Sequence, residues 1–209
     1  MRIVAAAQVA PVRWQNGGGL TRELLALPAG GGWGLRISLA DIAADGPFSS
    51  FPGVTRWFAV LEGAGVRLAW PGRAALDVRP GDAPLRFDGA DAPGCALLGG
   101  PTRDLNVMLR DGFGRATLTP CRAGEEMRIG LARALGVFAT RPLRLRDGGG
   151  SVDLPPLSLA WIDTTDTAPR AWWVEDPTDE LGRGAHTGEP PAARGPLGWW
   201  IQIDAADRA

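Results

Sequence analysis

The chain has 209 residues, 45% of them hydrophobic, and a net charge of −1. That length suits one or two compact units, and a near-neutral chain without a basic cluster excludes a nucleic-acid footprint. There is no Lys, no Tyr and a single histidine, His186; this removes Schiff-base and pyridoxal phosphate chemistry, a Tyr general acid, and any metal site needing two His from one chain.

In chain order, Met1 to Pro11 carries one Arg and an apolar stretch broken by Gln8, too short for a secretory leader. No apolar run approaches the ~18 residues of a membrane helix, so a cytoplasmic protein that does not enter membranes is expected. Asn16 to Gly19 is a glycine-rich loop, but without Lys it cannot be a phosphate-binding loop. It either makes a tight turn or lets a backbone or ligand approach closely. Thr21 to Leu27 reads as a helix turn or a strand. Trp33 to Ala40 alternates: as a strand it sets Arg36 and Ser38 on one face and Leu35, Ile37 and Leu39 on the other. Trp57 to Glu62 and Val66 to Trp70 are β-like runs around Gly63 and Gly65, expected to pair as a hairpin. Asn106 and Met108 stand on alternate positions of a strand and point the same way. Asn106 either bonds a ligand or satisfies neighbouring backbone.

In the second half, Met127, Leu131 and Leu135 are four apart, a helix-like spacing over Gly124 to Leu135. Leu143 to Arg146 alternates like a half-buried strand, with Asp147 to Gly149 as its turn. His186 lies in a Gly-, Pro- and Thr-rich stretch that reads as a surface loop. Trp161, Trp172, Trp173, Trp199 and Trp200 pack a core or an interface, including that of a two-fold homodimer. Cys95 and Cys121 read as buried free thiols. Short apolar runs separated by Gly and Pro signals define an all-β chain. Two small barrels are expected, residues 1–115 and 116–209, joined near Arg115 to Gly124.

Three stretches together resemble the HutD/Ves family, which is associated with histidine utilisation. They are Trp14-Gln15-Asn16-Gly17-Gly18-Gly19-Leu20-Thr21-Arg22-Glu23, then Trp33 to Ala40 with Asp45 to Gly53 and Arg56, then Asp104-Leu105-Asn106-Val107-Met108. The resemblance is close over about the first 110 residues and implies a bicupin, two cupin barrels in one chain. The first cupin motif is His-x-His-(x3–4)-Glu-(x6)-Gly. With its Gly on Gly63, its Glu falls on Arg56 and its two His near Ser49 and Phe51. Arg79-Pro80-Gly81-Asp82 resembles the turn opening the second motif, whose His would fall near Ala92. Every metal ligand is replaced, so the resemblance implies neither metal nor cofactor. A guanidinium repels a divalent cation and attracts an anion.

The resemblance therefore implies a non-catalytic binding protein that senses or moderates histidine catabolism. Its ligand, held in a pocket of the 1–115 barrel, would be a small carboxylate of the urocanate or formylglutamate class, paired by Arg56. Arg36, Ser38, Asn16, Ser49, Phe51, Asn106 and Met108 complete the expected site. Phe48, Phe51, Trp14 and Trp57 read as core or as pocket wall. Two other readings stay open. One is a metal-independent isomerase or lyase with Glu23 or Asp45 as base. The other is an interaction module using the Trp-rich half.

Overall fold

The computed structural model describes residues 1–29, 32–129, 133–163, 170–178 and 195–205. The chain opens with β1 (Arg2–Ala5) and a 3-10 turn over Ala6–Gln8. Then come β2 (Val12–Arg13), β3 (Gly19–Leu27), β4 (Leu35–Ile42), β5 (Gly46–Pro47), β6 (Val54–Glu62) and β7 (Val66–Ala69). They are followed by β8 (Leu76–Val78), β9 (Leu85–Asp88), β10 (Gly94–Leu97) and β11 (Thr102–Arg110). The remainder is β12 (Arg115–Cys121), β13 (Glu126–Ile129), β14 (Ala134–Ala139), β15 (Leu143–Asp147), β16 (Gly150–Leu154), β17 (Ser158–Asp163), β18 (Arg170–Glu175) and β19 (Gly198–Asp204). The described residues contain no α-helix and no helix long and apolar enough to cross a membrane.

Two compact units result: one from Ala6–Arg115, the other from Ala116–Ala205 together with Met1–Ala5. The first has a six-stranded sheet, β2-β3-β4-β11-β6-β9, and a four-stranded sheet, β5-β10-β7-β8. Its core draws Ala40, Ile42, Phe58 and Val60 from the larger sheet, and Val66, Leu68, Val78 and Cys95 from the smaller. Alternation on β4 is as expected: Leu35, Ile37 and Leu39 are buried, and their registered neighbours on β11, Leu109, Val107 and Leu105, are buried with them. The second unit pairs β1-β17-β14-β19-β12 with β13-β18-β15-β16. Trp172, Trp200, Phe138 and Leu135 are fully buried there. Hydrogen bonds between the described strands do not join the two sheets of either unit into one ladder.

Two local expectations need correction. The runs at β6 and β7 are strands but not a hairpin: β6 pairs with β11 and β9, β7 with β10 and β8. The chain changes sheets at Gly63 and Gly65, both at positive φ. A Cβ there would stand 2.5 Å from the Pro101 carbonyl and 2.6 Å from the Val78 carbonyl respectively. The two glycines thus serve close backbone approach at a crossover, a role that turn chemistry alone cannot distinguish from a hairpin. The helix-like spacing of Gly124 to Leu135 is accidental: Met127 lies on β13, Leu135 on β14, and Leu131 falls outside the described residues. The segment expected to join two halves, Arg115 to Gly124, contains the division between the units, after Arg115, and runs on as β12. Thr21 to Leu27 resolves as strand within β3, and Leu143 to Arg146 as strand β15, turning into β16 with Asp147 opposite Gly150.

Candidate ligand pocket

The inner face of the six-stranded sheet carries the site, and strand register explains its layout. Met108 stands opposite Arg36 on β4 and opposite Arg56 on β6. One row over, Asn106 stands opposite Ser38, which stands opposite Glu23 on β3. These alternate positions project to one side of the sheet. They form the floor of a cavity of about 820 Å³. Arg56, Arg36, Ser38, Asn16, Ser49, Phe51, Asn106 and Met108 all line it, so the structure brings all eight expected site residues together.

Arg56 is the deepest charge in this cavity, only 6% exposed. One terminal nitrogen donates to Asn106 Oδ1 at 2.7 Å and the other to the Ser49 carbonyl at 3.4 Å. Its Nε is buried with no partner. No carboxylate among the described residues pairs with it. Three rings stand in for a counter-ion, with centroids at 4.9 Å (Phe48), 5.7 Å (Phe51) and 5.1 Å (Phe87) from the guanidinium carbon. An aromatic face attracts a cation but leaves its N–H groups unbonded. Burial, and then the charge of Arg36, pull the Arg56 pKa down to about 10. The group stays cationic at neutral pH and presents donors to an anion.

Arg36 has a different environment. Its Nε donates to Glu23 Oε2 at 2.8 Å, and both side chains are partly exposed. Asn106 spends its carbonyl oxygen on Arg56, which leaves its amide nitrogen as a donor. Ser49 contributes backbone through its carbonyl. Phe51 is held by its N–H to the Gly89 carbonyl at 2.7 Å; a Cβ on Gly89 would lie 2.6 Å from the Phe51 carbonyl. Asn16 Oδ1 accepts from the Gly18 N–H at 3.0 Å and so caps the glycine loop as well as lining the cavity. Trp14 also lines it, its indole N–H bonded to Thr21 Oγ1 at 2.7 Å.

Two expectations shift. Asp45 is no base for this cavity: its carboxylate accepts the Leu97 N–H at 2.8 Å and does not line the pocket. Trp57 lies away from the cavity against Arg86, whereas Phe48 and Phe51 are pocket wall. In the second half Trp161, Trp172, Trp199 and Trp200 are buried, while Trp173 is exposed. Phe87 was not among the expected site residues; it stands opposite Arg56 on β9, a pairing across 31 residues with no local signal. Asp104, two residues before Asn106 on β11, lies outside the expected site residues. It is fully buried, accepts from Thr102 Oγ1 at 2.9 Å through Oδ2, and has no partner at Oδ1. Burial lifts its pKa to about 7, against the Thr102 hydrogen bond and with help from the charge of Asp41. Cys95 and Cys121 are buried free thiols, as expected.

The metal of the cupin motif does not fit these residues. Where the motif alignment sets Glu, Arg56 places a buried guanidinium with no carboxylate partner; at the two His positions Ser49 turns a carbonyl toward it and Phe51 supplies a ring. Among the described residues no three His, Cys, Asp or Glu side chains come together.

The arrangement defines an all-β, cupin-like protein with a cationic pocket. A cupin 2 conserved barrel domain protein from Leptotrichia buccalis superposes with a TM-score of 0.54 at 10% identity, over 97% of this chain and 96% of that one. More specifically, the chain belongs to the HutD family, whose model matches residues 6–172. HutD from Pseudomonas fluorescens SBW25, solved in a formate condition, superposes with a TM-score of 0.77 at 24% identity, over 100% of this chain and 99% of that one. A conserved protein of unknown function from Pseudomonas aeruginosa PAO1 gives 0.78 at 27% identity, covering 98% of each chain. An uncharacterized 21.2 kDa protein in the hutC 3' region of Pseudomonas putida is 38% identical over 110 residues, 52% of this chain. Protein Ves of Citrobacter koseri is 38% identical over 99 residues, 46% of this chain. These two alignments span 57% and 51% of the relatives' own lengths.

Proposed function

We propose that this is a non-catalytic bicupin that binds a small organic acid in the cavity of the Ala6–Arg115 unit. One observation carries the reading: Arg56 is buried without a carboxylate partner, and its Nε has no partner at all. A desolvated cation in that state is stabilised by a carboxylate that completes its hydrogen bonds. Asn106, Ser38 and the ring wall orient the rest of the ligand. The bicupin reading is supported by two sheets in each unit and by the cupin-like superposition. Family membership and the hutC-region name of the P. putida relative support a cytoplasmic role in sensing or moderating histidine catabolism. The ligand would then be an acid of the urocanate or formylglutamate class.

Calorimetric titration with those acids tests this. Arg56→Ala should weaken binding by about 2–5 kcal/mol, the range for losing one partner of a buried charge pair. Undiminished binding by that variant, or no acid binding by the native chain, would defeat the reading. A metal-independent isomerase or lyase is the second reading, and it rests on Glu23, the only acidic side chain among the described residues of the cavity wall. Turnover of a bound acid that disappears in Glu23→Gln would establish it.

A further inference from the structure

The cavity floor has two polar ends of unlike character. At one end Arg56 is an uncompensated cation with a spare N–H. At the other, Arg36 is neutralised by Glu23 through a single contact, Nε to Oε2. The second oxygen of Glu23 has no hydrogen bond among the described residues, and Glu23 lines the cavity. Arg36 and Arg56 flank Met108 on opposite neighbouring strands. Their backbones therefore stand two strand spacings apart, about 9–10 Å. A plain acid seated on Arg56 leaves the far end unused. An acid group at the far end meets the negative charge of Glu23 before it can pair with Arg36. An N–H group there meets an acceptor already held in place.

We propose that the ligand is bipolar, with a carboxylate on Arg56 and, at its opposite end, an amino or ring N–H group that donates to Glu23. This rests on the carboxylate-binding reading above and adds a polarity to it. Glu23 is then a specificity-determining residue rather than a structural ion-pair partner of Arg36.

Matched acids separate the two ideas. Native protein and Glu23→Gln are titrated with urocanate against furylacrylate, which has a similar shape but no ring N–H. The same is done with 4-aminobutyrate against pentanoate, in which a methyl group replaces the amine. In any pair that binds, the N–H member should bind at least about tenfold tighter, the worth of one hydrogen bond to a charged acceptor. Glu23→Gln should erase that advantage and leave the N–H-free acid within about twofold. An unchanged thermal transition in Glu23→Gln excludes a folding effect. Equal binding within each pair would overturn the polarity alone. So would a Glu23→Gln variant that weakens both members alike. If all four acids failed to bind, the carboxylate reading would fall, and this inference with it.

Discussion

Burying a guanidinium without a carboxylate costs folding free energy, because the charge loses water and gains only ring faces and two neutral acceptors. At Arg56 that cost is spent on a site rather than on the fold. Arg56→Met removes the guanidinium that faces the Phe48 and Phe87 rings and keeps an apolar side chain there. It should raise stability in urea by about 1 kcal/mol, within the range for replacing buried ionic groups by apolar ones, while acid binding is lost. A variant that is both destabilised and still competent to bind would contradict this account. Asp104 makes a second residue-level prediction. Its carboxyl titrates at 3.8 unfolded and about 7 folded. A raised folded pKa means that the protonated form is favoured on folding. Its contribution is therefore complete below pH 3.8 and is lost as pH rises through about 7. Comparing native protein with Asp104→Asn between pH 4 and 7 should isolate that loss, with a slope of up to about 1.4 kcal/mol per pH unit. Parallel stability curves for the two proteins would show that Asp104 is not the titrating group.

At the level of elements, the floor is precise because it is built on three adjacent central strands whose register is regular around Arg36, Met108 and Arg56. The wall depends on the turn that leads into β3. Trp14 N–H bonds the Gly19 carbonyl at 3.0 Å, and Gly17 sits at positive φ. Gly19 has a different constraint: a Cβ there would stand 2.4 Å from the Asp41 carbonyl and 3.1 Å from the Trp14 ring. Neither can yield without opening the β3–β4 pairing or moving Trp14 off the cavity. At Gly18 the nearest atom to such a Cβ is Asn16 Oδ1 at 3.4 Å, an ordinary contact. Gly19→Ala should therefore cost about 1–3 kcal/mol, as overpacking does, and weaken acid binding, while Gly18→Ala changes stability by less than about 0.5 kcal/mol. Thermal unfolding of the pair decides it, and equal effects would mean that the loop tolerates bulk where the geometry says it cannot. This is also where the sequence was most legible. Period-two alternation exposed the shared face of Arg36 and Ser38, and of Asn106 and Met108, because strand geometry forces it. It could not reveal that Arg56 meets Phe87, or that β6 ignores β7, because pairing partners are chosen by the whole sheet.

For the molecule as a whole, the least legible feature is the first strand. Nothing in Arg2 to Ala5 indicates that it pairs far along the chain, with Arg2 opposite Trp161 and Ala5 opposite Ser158. A division read from the sequence puts those residues with the segment that follows them, whereas their hydrogen bonds put them with Ala116–Ala205. β17 lies between β1 and β14, so without β1 it becomes an edge with unpaired backbone groups. Deleting residues 1–5 from the full chain should remove a few ladder hydrogen bonds worth about 1 kcal/mol each, a loss of about 2–4 kcal/mol in denaturant unfolding. Hydrogen exchange should localise it. The amides of Ser158 to Trp161 that faced β1 should lose protection, while those of β4 and β11, which pair with each other beneath the cavity, keep theirs. Unchanged protection at Ser158 to Trp161 would mean that β1 only decorates its sheet. Protection lost equally in β4 would mean that the two units unfold together, and that the strand at the start of the chain stabilises the pocket as well.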